Sequence, residues 1–272
     1  MIPAEFKYLF PSSVDEAVRM LAEEGEDAKV IAGGQSLVPI LRMRLAAPTA
    51  LIDIGGLTEL TGVRDDGDSL LIGAMTTHYE VQRDHLIHDH ALLLKLVTDT
   101  VADPQVRHRG TFGGSLCHAD PAGDLLAPAL ALDAVMIIAG PSGRREVPAS
   151  EFFVDYFTTA LAPDEILIDV RVPKYTGWGA HYEKLNRVAQ AWSIVAVAAA
   201  VQVRDGTIAA ARVGLTNLGS GPTRAVDVES ALVGQPVSAI AEAALRASAG
   251  DGYKDNLARV LTGRALTAAV AG

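Results

Sequence analysis

Apolar residues along this chain of 272 residues alternate between a helical and a strand period. Val14, Ala17, Val18 and Leu21 recur every three or four positions, behind Ser13 and ahead of Gly25. That spacing predicts a helix opened by a capping box of Ser13 and Glu16 and closed by the glycine. Val30 and Ile31 read as a short buried strand, and helical spacing returns at Leu37, Ile40, Leu41 and Leu45. Apolar runs over 51–54 and 70–74 predict two more strands. Helical patterns follow Thr76-Thr77, over 91–97 and from Asp124 through Leu132, and a strand is predicted over 134–139. Between 103 and 124 the periodicity vanishes and Gly, Pro and small polar residues take over, which predicts a long functional loop.

The alternation of Ile166, Ile168, Val170 and Val172 predicts a strand with one buried face. Residues 173–179 read as a linker. Beyond it lie predicted strands over 181–185, 194–204 and 208–215, the last two joined by a hairpin turn at Asp205-Gly206. Ala-rich helices are predicted over 224–232, 238–248 and 253–270. The order is that of an α+β protein, with a mixed N-terminal domain over 1–176 and a small sheet with helices over 177–272. The first strand is not followed by G-x-G-x-x-G, and no βαβ alternation is sustained, so the pattern is not that of a Rossmann fold.

Composition narrows the function. Hydrophobic residues make up 49% and charged residues 21%, as in an ordinary folded protein. The net charge of −10 argues against nonspecific binding to nucleic acid or an anionic membrane. The most apolar stretch, over 194–203, is about half a membrane span, and no signal segment is evident, so a cytoplasmic protein without a transmembrane segment is expected. Cys117 is the only cysteine, which rules out an internal disulfide or a cysteine-ligated iron–sulfur cluster within this chain.

Two glycine pairs carry the candidate chemistry. The first is Ala32-Gly33-Gly34-Gln35-Ser36, directly after an apolar run. The second is Thr111-Phe112-Gly113-Gly114-Ser115, followed by Cys117, His118, Asp120 and Asp124. Glycine lets amides approach a ligand closely, and several amides turned inward form an anion-binding nest. Two nests on one domain suit a pyrophosphate held from both sides. On the residues alone, each pair also reads as a turn, Asp124 as a helix cap, Lys184 as a surface lysine and Leu167 as core. His118 and Asp120 look like an acid–base pair within the same loop. His78, His85, His88 and His90 read as a solvated helix end and loop rather than metal ligands.

These motifs, with Asp124 behind the second, resemble the FAD-binding medium subunit of molybdenum hydroxylases, of the carbon monoxide dehydrogenase type, over essentially the whole chain. The resemblance implies a PCMH or vanillyl-alcohol-oxidase-type FAD-binding domain of two subdomains, followed by a small C-terminal antiparallel sheet with helices. It implies that residues 32–36 and 111–115 wrap the FAD pyrophosphate through backbone and hydroxyl donors. It further implies that Asp124 accepts a bond from the ribose or adenine side, that Leu167 touches the flavin through its backbone, and that Lys184 and Trp192 lie near the flavin ring. The implied partners are a large molybdopterin-binding subunit, a small subunit with 2Fe–2S clusters and an external electron acceptor, with no catalytic base and no metal on this chain. The competing readings are a free-standing flavin oxidoreductase with its own substrate, and a scaffold that has lost the flavin. The roughly 95 residues after Gly177 leave little room for a substrate domain.

Overall fold

The structure, a computed structural model, describes residues 2–248 and 252–272. Its N-terminal part opens with a three-stranded parallel sheet ordered Lys7–Leu9, Ala50–Asp53, Ala28–Ile31. The helix Val14–Glu24 lays Val14, Ala17, Val18 and Leu21 on this sheet. Ser13 caps it by accepting from the Glu16 amide, and Gly25 ends it at φ 81°. The reciprocal half of the predicted capping box is displaced by one residue. The Glu16 carboxylate takes the amide and hydroxyl of Ser12, not the amide of Ser13.

A five-stranded antiparallel sheet follows, ordered Val63–Asp66, Ser69–Gly73, Ile166–Pro173, Val135–Gly140, Gly143–Pro148. The pattern over 166–172 does not present a single buried face. A register shift between Leu167 and Asp169 leaves Ile168 as an extra residue in the central strand. Ile166 and Ile168 therefore pack against the helix Val14–Glu24 side. Leu167, Val170 and Val172 join the opposite core with the helices Leu92–Thr98 and Leu126–Ala131. This bulge lets one strand serve two cores.

The C-terminal part is an antiparallel sheet ordered Gly179–Leu185, Val195–Arg204, Thr207–Thr216, Thr223–Arg224. Asp205 and Gly206, at φ 50° and 75°, make the predicted tight turn. The run over 194–203 is apolar throughout because both faces of its strand are covered. Val195, Val197, Ala199 and Val201 meet the helices Val226–Leu232, Ile240–Ala244 and Gly252–Ala271, while Ala196, Ala198 and Ala200 meet the central core. A Cβ on Gly214 would stand 2.3 Å from the Ala127 carbonyl oxygen, so glycine is what lets this sheet sit directly on the helix Leu126–Ala131. Among the described residues no helix is long and apolar enough to cross a membrane.

Candidate functional site

A cleft of about 530 Å³ opens where the three sheets meet, within the ordinary range for a cofactor or small-molecule site. Its first wall is the segment 32–36. The strand Ala28–Ile31 leading into it is only half-buried at Val30 and Ile31, because Val30 faces the cleft. Gly34 adopts φ 75°, a conformation glycine enters freely. Gly33 lies against the second motif's approach, and a Cβ there would come within 2.0 Å of the Arg109 carbonyl oxygen. Among the described residues, no protein acceptor takes the amides of Gly33, Gly34, Gln35 or Ser36. The helix behind this loop is shorter than its spacing predicts. It runs over Leu37–Arg42, with only Leu41 buried, and Leu45 lies exposed beyond it.

The second wall corrects the sequence reading. Residues 103–124 are not one long loop: they contain the helices Pro104–Arg107 and Phe112–His118. Thr111 caps the latter by accepting from the Gly114 amide at 3.2 Å. The Phe112 amide donates to the Thr76 carbonyl, Gly113 to Ala74 and Ser115 to Thr111. Neither Gly113 nor Gly114 has positive φ. This segment is a capped helix start with its amides spent, not a second nest. Phe112 and Gly113 do not line the cleft at all, since Phe112 is wholly buried and Gly113 sits against Ala74. Thr111, Gly114 and Ser115 do line it.

The third wall holds Leu167, Asp124 and Lys184. Asp124 does not cap the helix Leu126–Ala131, whose N-cap position, Leu125, offers no side-chain bond. Its carboxylate instead accepts from the Tyr182 hydroxyl at 2.7 Å and from the Lys184 ammonium at 2.8 Å, with both Asp124 and Lys184 almost wholly buried. Burial pushes the Asp124 carboxyl up, while the Lys184 charge and then the Tyr182 hydroxyl pull it back. Lys184 is thus no surface lysine, and its charge is offset inside the wall. Trp192 stands exposed at the mouth, beside Gln190 at φ 68°. His118, Asp120 and Cys117 also line the cleft. The Asp120 carboxylate holds the Ala122 amide, and the His118 ring lies 5.3 Å from Phe157. Burial pushes the Cys117 thiol up to about 12, so it is no thiolate nucleophile.

The match to known proteins is then direct. Residues 4–175 fit the model of the FAD binding domain in molybdopterin dehydrogenase, and residues 180–269 fit that of the CO dehydrogenase flavoprotein C-terminal domain. The chain belongs to the FAD-binding family of the molybdopterin dehydrogenases. It is 38% identical to the carbon monoxide dehydrogenase medium chain of Hydrogenophaga pseudoflava, over 99% of this chain and 98% of that one. A solved carbon monoxide dehydrogenase from the same organism, lacking the Mo-pyranopterin moiety, superimposes with a TM-score of 0.95, at 38% identity and covering 100% and 99% of the two chains. Quinoline 2-oxidoreductase from Pseudomonas putida 86 gives 0.93 at 32% identity, with the same coverage.

As a family member this chain is an FAD-binding oxidoreductase subunit of medium-chain type, and its cleft fits that cofactor. The open amides of the first wall are matched to a pyrophosphate, which is anionic and rich in acceptors. Gly33 and Gly114 remove side chains where the two walls approach. Sequence reasoning misses several cleft residues, His78 among them. His78 was read as part of a solvated helix end with His85, His88 and His90, yet it is buried beneath Gly110, while His85 and His88 are exposed. The signal was the Thr77 capping box, which turns the first residue of the helix His78–Arg83 back toward the second motif.

Proposed function

We propose that this chain is the electron-transfer subunit of a cytoplasmic molybdenum hydroxylase complex. Substrate oxidation then belongs to a large molybdopterin-binding subunit, electrons arrive through 2Fe–2S clusters on a small subunit, and an external acceptor removes them. FAD, when bound, supplies the two-electron store between those partners. The residues divide the work of holding it. The amides of residues 33–36 receive the pyrophosphate, with Ala32, Thr111, Gly114 and Ser115 beside them. Leu167 and the Asp124–Lys184 pair form the far wall. Residues 1–176 would form the cofactor domain, and 177–272 the unit that closes the cleft with Lys184 and Trp192.

The single observation that carries this reading is a large cleft with open phosphate-type donors in a chain whose one cysteine cannot hold a cluster. Substrate is not legible from it. Relatives named for carbon monoxide and for quinoline share this fold almost equally, so the flavin subunit does not encode what the complex oxidises. The test is to purify the chain alone, load FAD and add carbon monoxide, purines or aldehydes without oxygen. The flavin should stay oxidised until cognate large and small subunits are added. Bleaching by substrate with this chain alone would instead establish a free-standing oxidoreductase. All colour should leave the protein on denaturation and filtration, and colour retained on the precipitate would show a covalent bond.

A further inference from the structure

Within the cleft, one buried polar side chain has nothing to bond. His78 is 4% exposed and lines the cleft. Its backbone is fully engaged, the amide donating to the Gly110 carbonyl at 2.9 Å. Its ring is not. Nδ1 is sealed away from solvent without a partner, and among the described residues Nε2 has none either. Nε2 does not share that sealing, and His78 lines the cleft. The space beside the Nε2 edge is kept open by Gly110. A Cβ there would stand 2.9 Å from Cδ2 and 3.1 Å from Nε2. A polar group this enclosed loses about 1–3 kcal/mol of solvation unless a partner restores it. Burial first, and the Arg107 charge second, hold the imidazole down at about 4, so the ring is neutral at physiological pH.

We propose that His78 is an FAD-binding residue, presenting Nε2 of a neutral imidazole to the cofactor from behind the point where segment 32–36 meets Arg109 and Gly110. The residue lies outside both glycine motifs. A neutral imidazole offers one N–H and one lone pair, so it serves a hydroxyl or carbonyl of the cofactor without adding charge to the cleft. The inference rests on the FAD assignment above and adds one residue to it.

The test is FAD affinity of the full chain, followed by flavin fluorescence, for three variants of one position. Phe removes both nitrogens, Gln restores a polar atom near Nε2, and Asn restores one near Nδ1. His78→Phe should weaken FAD binding about ten-fold, the range of one lost hydrogen bond, and shift the bound flavin absorption. His78→Gln should recover most of the affinity and His78→Asn should not. Equal affinity and an unchanged spectrum for a folded His78→Phe protein would overturn the proposal, as would recovery by Asn but not Gln. A wild-type chain that fails to take up FAD would overturn the cofactor assignment itself. Should His78→Phe fail to fold, the contrast between Gln and Asn decides the matter.

Discussion

In segment 32–36 the amides of Gly33, Gly34, Gln35 and Ser36 donate to no acceptor among the described residues, and Gly34 holds positive φ. In segment 111–115 the amides of Phe112, Gly113, Gly114 and Ser115 are all taken by the protein, and both glycines are helical. Two motifs that share a glycine pair and a serine therefore differ in what their amides do. The first presents unbonded amides along the cleft. The second lines the cleft with Thr111, Gly114 and Ser115 but with its amides already bonded, and its glycines let a helix start lie against Ala74 and keep room for the Thr111 cap. An anion site read from glycine pairs alone treats the two as equal, whereas counting donors separates them.

The largest expected effect comes from the place where the two segments touch. Gly33→Val would set a Cβ at 2.0 Å from a backbone oxygen, and backbone cannot swing aside as a side chain can. The walls must separate, at a cost above about 3 kcal/mol. FAD affinity should fall by ~100-fold or more, read by equilibrium dialysis. Near-wild-type binding would mean that the walls close differently in the loaded protein.

Next is a pH effect at the base of the second segment. His78 has a folded pKa of about 4 against an ordinary 6.5. Between those values the unfolded chain binds a proton that the folded chain refuses. Stability is therefore undiminished above about pH 6.5 and falls as pH drops toward 4, by about 3 kcal/mol at most for 2.5 units. Urea unfolding of the apoprotein should show this slope, and His78→Gln should remove it. A slope that survives the substitution belongs to other groups.

Gly113→Ala tests this reading of the second segment. Its Cβ would stand 2.5 Å from the Ala74 Cβ and 2.8 Å from the Ala74 Cα; Gly113 itself is not part of the cleft lining, and the strain reaches the cleft only through Ala74. Overpacking of this kind costs about 1–3 kcal/mol of stability. FAD binding at a temperature where the variant is folded should change far less than for Gly33→Val. Equal losses at the two positions would restore the picture of two equivalent nests.

Local signals made much of the fold legible. The Ser13 cap, the Gly25 stop and the Asp205-Gly206 turn each depend on residues adjacent in sequence, and each forms as its chemistry dictates. The strand over 166–173 was found but its faces were not, because a bulge at Ile168 is set by the partner strand's register. The helix Phe112–His118 was hidden by its own glycines, poor helix formers made helical here by the Thr111 cap and by contact with Ala74. In the cleft, Asp124 and Lys184 were legible as candidates, but their pairing spans 60 positions and only the tertiary fold supplies it. His78 could not be told from its neighbouring histidines, since spacing along 78–90 says nothing about which ring Gly110 covers.

The smallest effect should come from Gly34→Ala, and it isolates what the first segment's conformation is worth. Gly34 holds φ 75°, where alanine costs about 1 kcal/mol, and the tightest contact of its Cβ would be the Val38 Cγ2 at 3.1 Å, the end of a side chain that can shift by a few tenths of an ångström, with Ile31 at ordinary contact distance. The open amides of 33, 35 and 36 are untouched by the substitution. The variant should fold, lose about 1 kcal/mol in urea unfolding and weaken FAD binding only several-fold, well short of Gly33→Val. A loss as large as that of Gly33→Val would show that the ligand needs the left-handed turn itself, with the amide directions it sets. Little or no loss would leave close approach at Gly33 as the property that distinguishes the first segment from the second.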